Sequence, residues 1–167
     1  MIVYFHAGTV KKNFAADILK KKHGILSPAF IKNEHGKPYL KENPLFFNLS
    51  HSREIAVFAV CEREVGIDVE ALVPRKYDQI FNRFSERERE EIKSSDDFLR
   101  HWTVKESFVK YLGLSIAEEW KALEYFNGAL FWKGEEQQIL LKTFSEEEYV
   151  FTVCTAREEA ISLVCID

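Results

Sequence analysis

Hydrophobic and polar positions change their rhythm twice along this chain. Residues 2–6 form a short apolar run that predicts a strand. Residues 11–23 follow with helical spacing, Phe14, Ile18 and Leu19 on one side and lysines on the other, closed by Gly24. Residues 29–32 and 38–40 flank Asn33-Glu34-His35-Gly36, a turn signal between two short extended pieces. Residues 46–49, 54–61 and 65–70 are three strand candidates, the last two joined by the charged link Glu62-Arg63-Glu64. The middle is helical. Ser85 and Glu88 make a capping-box signature ahead of residues 89–93, and a second helix covers roughly 96–112 and stops at Gly113. Strand spacing then returns over 121–126, 129–133, 138–144, 149–156 and 160–166. Asn127-Gly128 is a two-residue turn and Arg157-Glu158-Glu159 a longer one.

The helix over 96–112 breaks its own pattern. At about 100° per residue, with Phe98 as zero, Val109 falls near 20°, Trp102 near 40° and Leu99 near 100°. Glu106 falls near 80°, inside this apolar arc, and Lys105 near 340°, at its flank; Lys110 follows Glu106 by one turn. Charges directed at an interior must be paired, solvated in a cleft or bound to a metal. This helix is therefore a candidate site.

Both ends of the chain carry a helix followed by strands, an order that allows an internal duplication although no repeated sequence supports it. The expectation is an α+β protein of two lobes, residues 1–62 and 63–167, meeting closely near residues 60–65 rather than across a flexible linker. Of 167 residues 46% are hydrophobic and 14 are Phe, enough for a packed interior and against disorder. A net charge of −4 argues against a dedicated nucleic-acid binder. Cys61, Cys154 and Cys165 lie in strand-like runs without metal-type spacing, as expected of reduced, buried thiols in a cytoplasmic protein. The longest apolar run, Ile55–Cys61, is too short to span a bilayer, and the amino terminus reads as a strand rather than a targeting segment.

Four groups of residues carry candidate chemistry. In Gly66-Ile67-Asp68-Val69-Glu70, strand alternation puts Asp68 and Glu70 on one face, where two carboxylates repel unless a cation joins them. Glu106 from the helix would add a third oxygen ligand, with Lys105 and Lys110 available to phosphates. Phe47-Asn48-Leu49-Ser50-His51-Ser52 places a polar Ser-His-Ser cluster at the end of a strand, where His51 and the hydroxyls of Ser50 and Ser52 can donate to an anion. Gly36-Lys37-Pro38 fixes a lysine in a turn, also able to meet an anion. The chain has no P-loop, no Gly-x-Gly-x-x-Gly, no Cys-x-x-Cys, no His-Glu-x-x-His and no Gly-x-Ser-x-Gly.

These groups, followed by Trp102-x-x-Lys105-Glu106-Ser107-x-x-Lys110 and with Phe84-Ser85-x-x-Glu88 before it, occur in an order that resembles the 4′-phosphopantetheinyl transferase superfamily, specifically its surfactin-synthetase (Sfp-like) branch. The resemblance runs from about residue 29 to 116. It implies a monomeric protein of two related α/β lobes, a pseudo-dimeric fold with the active site in the cleft. The implied reaction moves the 4′-phosphopantetheine arm of coenzyme A onto a serine of an acyl or peptidyl carrier protein. By resemblance, Asp68, Glu70 and Glu106 hold Mg²⁺ (or Mn²⁺), Glu106 or a water it orients takes the serine proton, and Lys110 stabilises the leaving oxygens. Ser50 and His51 would hold the pyrophosphate, and Lys37 and Lys105 would serve the nucleotide end. The amino-terminal lobe is shorter than in relatives of this branch, and Lys11, Lys12 and Asn13 fall where basic residues for the 3′-phosphate are expected. Two alternatives use the same residues: a non-catalytic module that binds carrier proteins or nucleotides, and a metal-dependent nuclease or phosphohydrolase.

Overall fold

The computed structural model describes residues 1–8, 13–42, 44–72, 78–146, 148–157 and 160–166. Its elements run β1 (Ile2–Ala7), α1 (Phe14–His23), β2 (Phe30–Lys32), β3 (Pro38–Leu40), β4 (Phe46–Ser52), β5 (Ile55–Cys61) and β6 (Val65–Ala71). They continue with α2 (Asp78–Phe81), α3 (Glu86–Glu91), α4 (Ser95–Leu112), α5 (Ile116–Glu119) and a 3₁₀ turn, Trp120–Ala122. The last strands are β7 (Leu123–Phe126), β8 (Ala129–Trp132), β9 (Glu135–Glu136), β10 (Leu140–Glu146), β11 (Tyr149–Thr155) and β12 (Ser162–Cys165).

Two sheets carry the fold. In the first, β5 lies antiparallel between β1 and β4; in the second, β11 lies antiparallel between β6 and β10. The two halves share a plan: a strand, a helix, a small peripheral sheet, then a hairpin whose second strand is central. The mixed α+β class agrees with the sequence reading. The matching plan gives the suspected duplication a structural form that no sequence repeat reveals.

Val3, Val57, Ala59 and Cys61 of the first sheet meet Val65, Ile67, Val69, Phe151 and Val153 of the second, so the inner faces pack on each other. Tyr4, Phe47, Phe58 and Val60 face outward under Phe14, Ile18 and Leu19 of α1. The other face of the second sheet is covered by α4, where Val104, Phe108 and Val109 pack with Cys154. β5 is apolar at every position because both its faces are covered.

α4 is bounded by legible signals. The Ser94 hydroxyl accepts the Asp97 amide at 3.1 Å, and Gly113 ends the helix at φ +71°. The capping box of α3 is present, with Ser85 and Glu88 satisfying each other's amides. Gly66 explains how close α4 comes to β6: a Cβ there would run into the backbone carbonyl of Ser107 and the amide of Tyr111.

Several boundaries differ from the sequence reading. β4 continues past the expected end at residue 49 through Ser52, so the Ser-His-Ser cluster forms the end of the strand, as expected. Its partner β5 begins at Ile55, and pairing Ser52 with Ile55 extends the ladder to the turn. The strand expected over 121–126 starts only at Leu123, because residues 116–122 form helical turns. The helix expected from residue 11 is described from Phe14; Lys11 and Lys12 lie outside the described residues, as do Glu158 and Glu159 of the expected turn. The strand expected over 160–166 is β12, which runs parallel to β1 and becomes an outer strand of the first sheet. That edge position also leaves Cys165 exposed, correcting the expectation of three buried thiols; Cys61 and Cys154 are buried. Among the described residues no helix is long and apolar enough to cross a membrane.

Candidate active site

β4 and β6 are edge strands of their own sheets and lie side by side without a backbone ladder. Side chains of β4 replace the missing ladder. Asn48 Oδ1 accepts the Ile67 amide at 3.0 Å, and Ser52 Oγ accepts the Ala71 amide at 3.1 Å. Strand alternation puts Asn48, Ser50 and Ser52 on one side, so the hydroxyl of Ser50 also meets this seam. It donates to Asp68 Oδ1 at 2.8 Å, while Ser52 donates to Glu70 Oε2 at 3.0 Å.

α4 closes the seam from the other side. A pocket of about 350 Å³ is lined by Ser50 and His51 of β4, Asp68 and Glu70 of β6, and Glu106 and Lys110 of α4, with Leu49 and Trp102 as its apolar walls. Six of the residues singled out from the sequence thus meet at one place. A larger cavity of about 460 Å³ beside α1 is lined by His6, Lys21 and Lys22 over an apolar floor, with Asp17 its single acid. It lacks the cluster of opposed charges that acid–base or metal chemistry needs.

The electrostatics of the smaller pocket are unusual. Asp68 is 4% exposed; its Oδ1 accepts the Lys110 ammonium at 2.5 Å, and its Oδ2 is buried without any hydrogen-bond partner. Lys110 also donates to Ser50 Oγ at 3.1 Å. Burial, then the neighbouring Asp68 and Glu70 carboxylates, push the Glu106 carboxyl up to about 7 against the opposing pull of Lys110.

Two lysines expected at the nucleotide end stand elsewhere. Lys105 is 1% exposed and pairs at 2.7 Å with Glu88, itself fully buried, under the rings of Trp120 and Phe84 at 4.3 and 4.9 Å. Burial lowers its pKa and Glu88 opposes the shift. Its angle at the flank of the arc turns it away from the pocket and into the α3–α4 core. Lys37 is also buried, and its three ammonium hydrogens are taken up by Glu64 at 2.7 Å and by the carbonyls of Tyr111 and Val65 at 3.0 and 3.3 Å. It ties the β2–β3 hairpin to the end of α4 instead of meeting an anion. Lys12 lies outside the described residues.

Asn48 was not singled out, although its spacing from Ser50 on one strand face was available as a signal; Ser52, expected to donate to an anion, donates to Glu70. Glu64 and Glu88, the partners that retire Lys37 and Lys105, had no such signal. Long-range pairing of charges leaves no local trace.

The sequence model of the 4′-phosphopantetheinyl transferase superfamily matches residues 64–164, which include β6 and α4. A 4′-phosphopantetheinyl transferase of Bacillus subtilis is 29% identical over 180 aligned positions, covering 93% of this chain and 79% of that protein. The 4′-phosphopantetheinyl transferase psf-1 of Bacillus pumilus is 31% identical over 147 positions, covering 78% of this chain and 62% of its own. The 4′-phosphopantetheinyl transferase gsp of Aneurinibacillus migulanus is 31% identical over 126 positions, covering 71% and 49%. The chain therefore spans most of the first relative and about half to three fifths of the other two.

Proposed function

This chain belongs to the 4′-phosphopantetheinyl transferase superfamily, and we propose that it transfers the 4′-phosphopantetheine arm of coenzyme A to a serine hydroxyl of an acyl or peptidyl carrier protein. One observation carries the reading: acids of β6 and α4, a lysine of α4 and a Ser-His pair of β4 line the same pocket. In the reaction the serine oxygen bonds to the phosphorus nearer the pantetheine. The bond to the bridging oxygen breaks, and adenosine 3′,5′-bisphosphate leaves.

Glu106 is suited to receive the serine proton. Without a metal its carboxyl is held near 7, so it takes up a proton more readily than an exposed carboxylate does. Lys110 provides a charge-assisted donor to the leaving oxygens, and Ser50 and His51 offer donors to the pyrophosphate from the facing strand. Ser52 holds the Glu70 carboxylate in place. Leu49 and Trp102 give the pocket its apolar walls.

A divalent metal, Mg²⁺ or Mn²⁺, belongs to this reading. Asp68 Oδ2 is a buried oxygen in want of a partner, and the repulsion felt by Glu106 from Asp68 and Glu70 is what a shared cation relieves. Among the described residues no three His, Cys, Asp or Glu side chains are gathered into a complete cage. Mg²⁺ needs none, since it commonly takes one or two carboxylates together with substrate phosphates and water. Asp68, Glu106 and Glu70 are the residues that would hold it. When bound it would screen the phosphate oxygens from an incoming nucleophile and stabilise charge on the leaving phosphate.

The reading includes a monomer acting in the cytoplasm, in keeping with three unbridged cysteines. Incubation with coenzyme A, Mg²⁺ and an apo carrier protein, followed by intact-mass analysis, tests it. The carrier should gain one phosphopantetheine. No gain with carriers from fatty-acid, polyketide and peptide synthesis alike would overturn the proposal.

A further inference from the structure

The contact between Lys110 and Asp68 has a second use. Among the described residues Lys110 is the one basic side chain within ion-pair reach of Asp68, and Ser50 bridges the pair by touching both. Asp68 is fixed in a buried strand, whereas the Lys110 ammonium sits at the end of a flexible four-carbon stem on a side chain that is 28% exposed. A cation already neutralises the carboxylate that the metal reading needs.

We propose that Lys110 is a resident counter-ion of Asp68 that changes partner when the site loads, so that divalent metal and the substrate pyrophosphate bind cooperatively. The inference rests on the metal and coenzyme A reading given above. A divalent ion approaching the unpartnered Oδ2 of Asp68 alone is repelled by the ammonium held on Oδ1, and driving that ammonium away costs it its contact with Asp68. A pyrophosphate approaching alone meets Asp68, Glu70 and Glu106 together. When both arrive, the metal takes the carboxylate and Lys110 transfers to a phosphate oxygen, so every charge keeps a partner. Each ligand then raises the affinity for the other by the same factor, as linkage requires.

The expectation is measurable without turnover. Mn²⁺ binding to the full chain is followed by electron paramagnetic resonance, with and without saturating coenzyme A. In the wild type, coenzyme A should raise Mn²⁺ affinity by about tenfold or more. Lys110→Gln should bind Mn²⁺ alone about tenfold more tightly than wild type and gain much less from coenzyme A; Lys110→Arg should keep the wild-type pattern. Equal Mn²⁺ affinity of wild type and Lys110→Gln without coenzyme A overturns the counter-ion role and leaves the transferase reading standing. No Mn²⁺ binding by wild type under either condition overturns both. Should Lys110→Gln fail to fold, ¹⁵N spectra of the lysine ammonium groups in the wild type decide. The Lys110 signal should shift when Mg²⁺ and coenzyme A are added together, and a signal that stays in place overturns the proposal.

Discussion

Glu106 combines burial with two like-charged neighbours, and Lys110 only partly offsets them. Its folded-state pKa is raised, so the stabilising contribution of its protonated form is complete below the unfolded value near 4.5 and is lost as pH rises through about 7. The metal-free protein should therefore lose stability between pH 5 and pH 8, by on the order of 2–3 kcal/mol from this group. Glu106→Gln removes the titration. Urea unfolding should find the variant more stable than wild type at pH 8 by about that amount and nearly equal to it at pH 5, while transfer is abolished. Equal losses in both proteins would show that Glu106 is not held as described. The helical angle of Glu106 in the apolar arc was readable in the sequence. What faces it was not, because periodicity fixes a direction around a helix axis and says nothing of which strand stands opposite.

At the scale of elements, α4 carries two kinds of charge in one short motif. Glu106 and Lys110 serve the pocket, while Lys105 locks α4 to α3 through Glu88, which also accepts the amides of Ser85 and Tyr125. Breaking a buried pair by removing one partner strands the other charge. Lys105→Met should cost about 3–5 kcal/mol in a denaturant titration and leave the coenzyme A dissociation constant of the folded protein unchanged. A nucleotide-binding role would give the reverse, weaker binding with little loss of stability. Gly66 tests the packing of α4 on β6. Gly66→Ala sets a methyl group against helix backbone, which cannot rotate away, and should destabilise by about 3 kcal/mol or more. A melting temperature within a degree or two of wild type would mean that α4 is not held so closely. The capping box of α3 and the ends of α4 were legible because local hydrogen bonds write local signatures. Glu88 was legible as a cap and not as the partner of Lys105, since that second bond spans two helices.

For the whole molecule, the last strand matters most. β12 lies parallel to β1, and the amino-terminal ammonium donates to the Ala160 carbonyl at 3.1 Å. Val164 and Ile166 add to the core under α1. Removing residues 160–167 should expose the edge of β1 and lower the melting temperature by about 10 °C or more, a cost of several kcal/mol in a domain of this size. An unchanged thermal transition would mean that β12 contributes little to the sheet. The sequence announces a strand there and is silent on its partner, because a parallel pairing across nearly the whole chain has no turn to mark it.

The amino-acid sequence by itself determined the elements, the α+β class and most of the chemistry. Alternation placed Asp68 and Glu70 on one face, helical spacing singled out Glu106, and the ordered motifs named the family. These are properties of neighbours along the chain, written in periods of about two and 3.6 residues. Tertiary structure alone decided which charges are spent on the fold and which remain for chemistry. Lys37 found the half-buried Glu64 and Lys105 the buried Glu88, while Lys110 met Asp68 at the pocket. A buried ion pair is chosen by what the packed core brings within about 3 Å, and that distance exists only after two sheets and a helix have closed on one another.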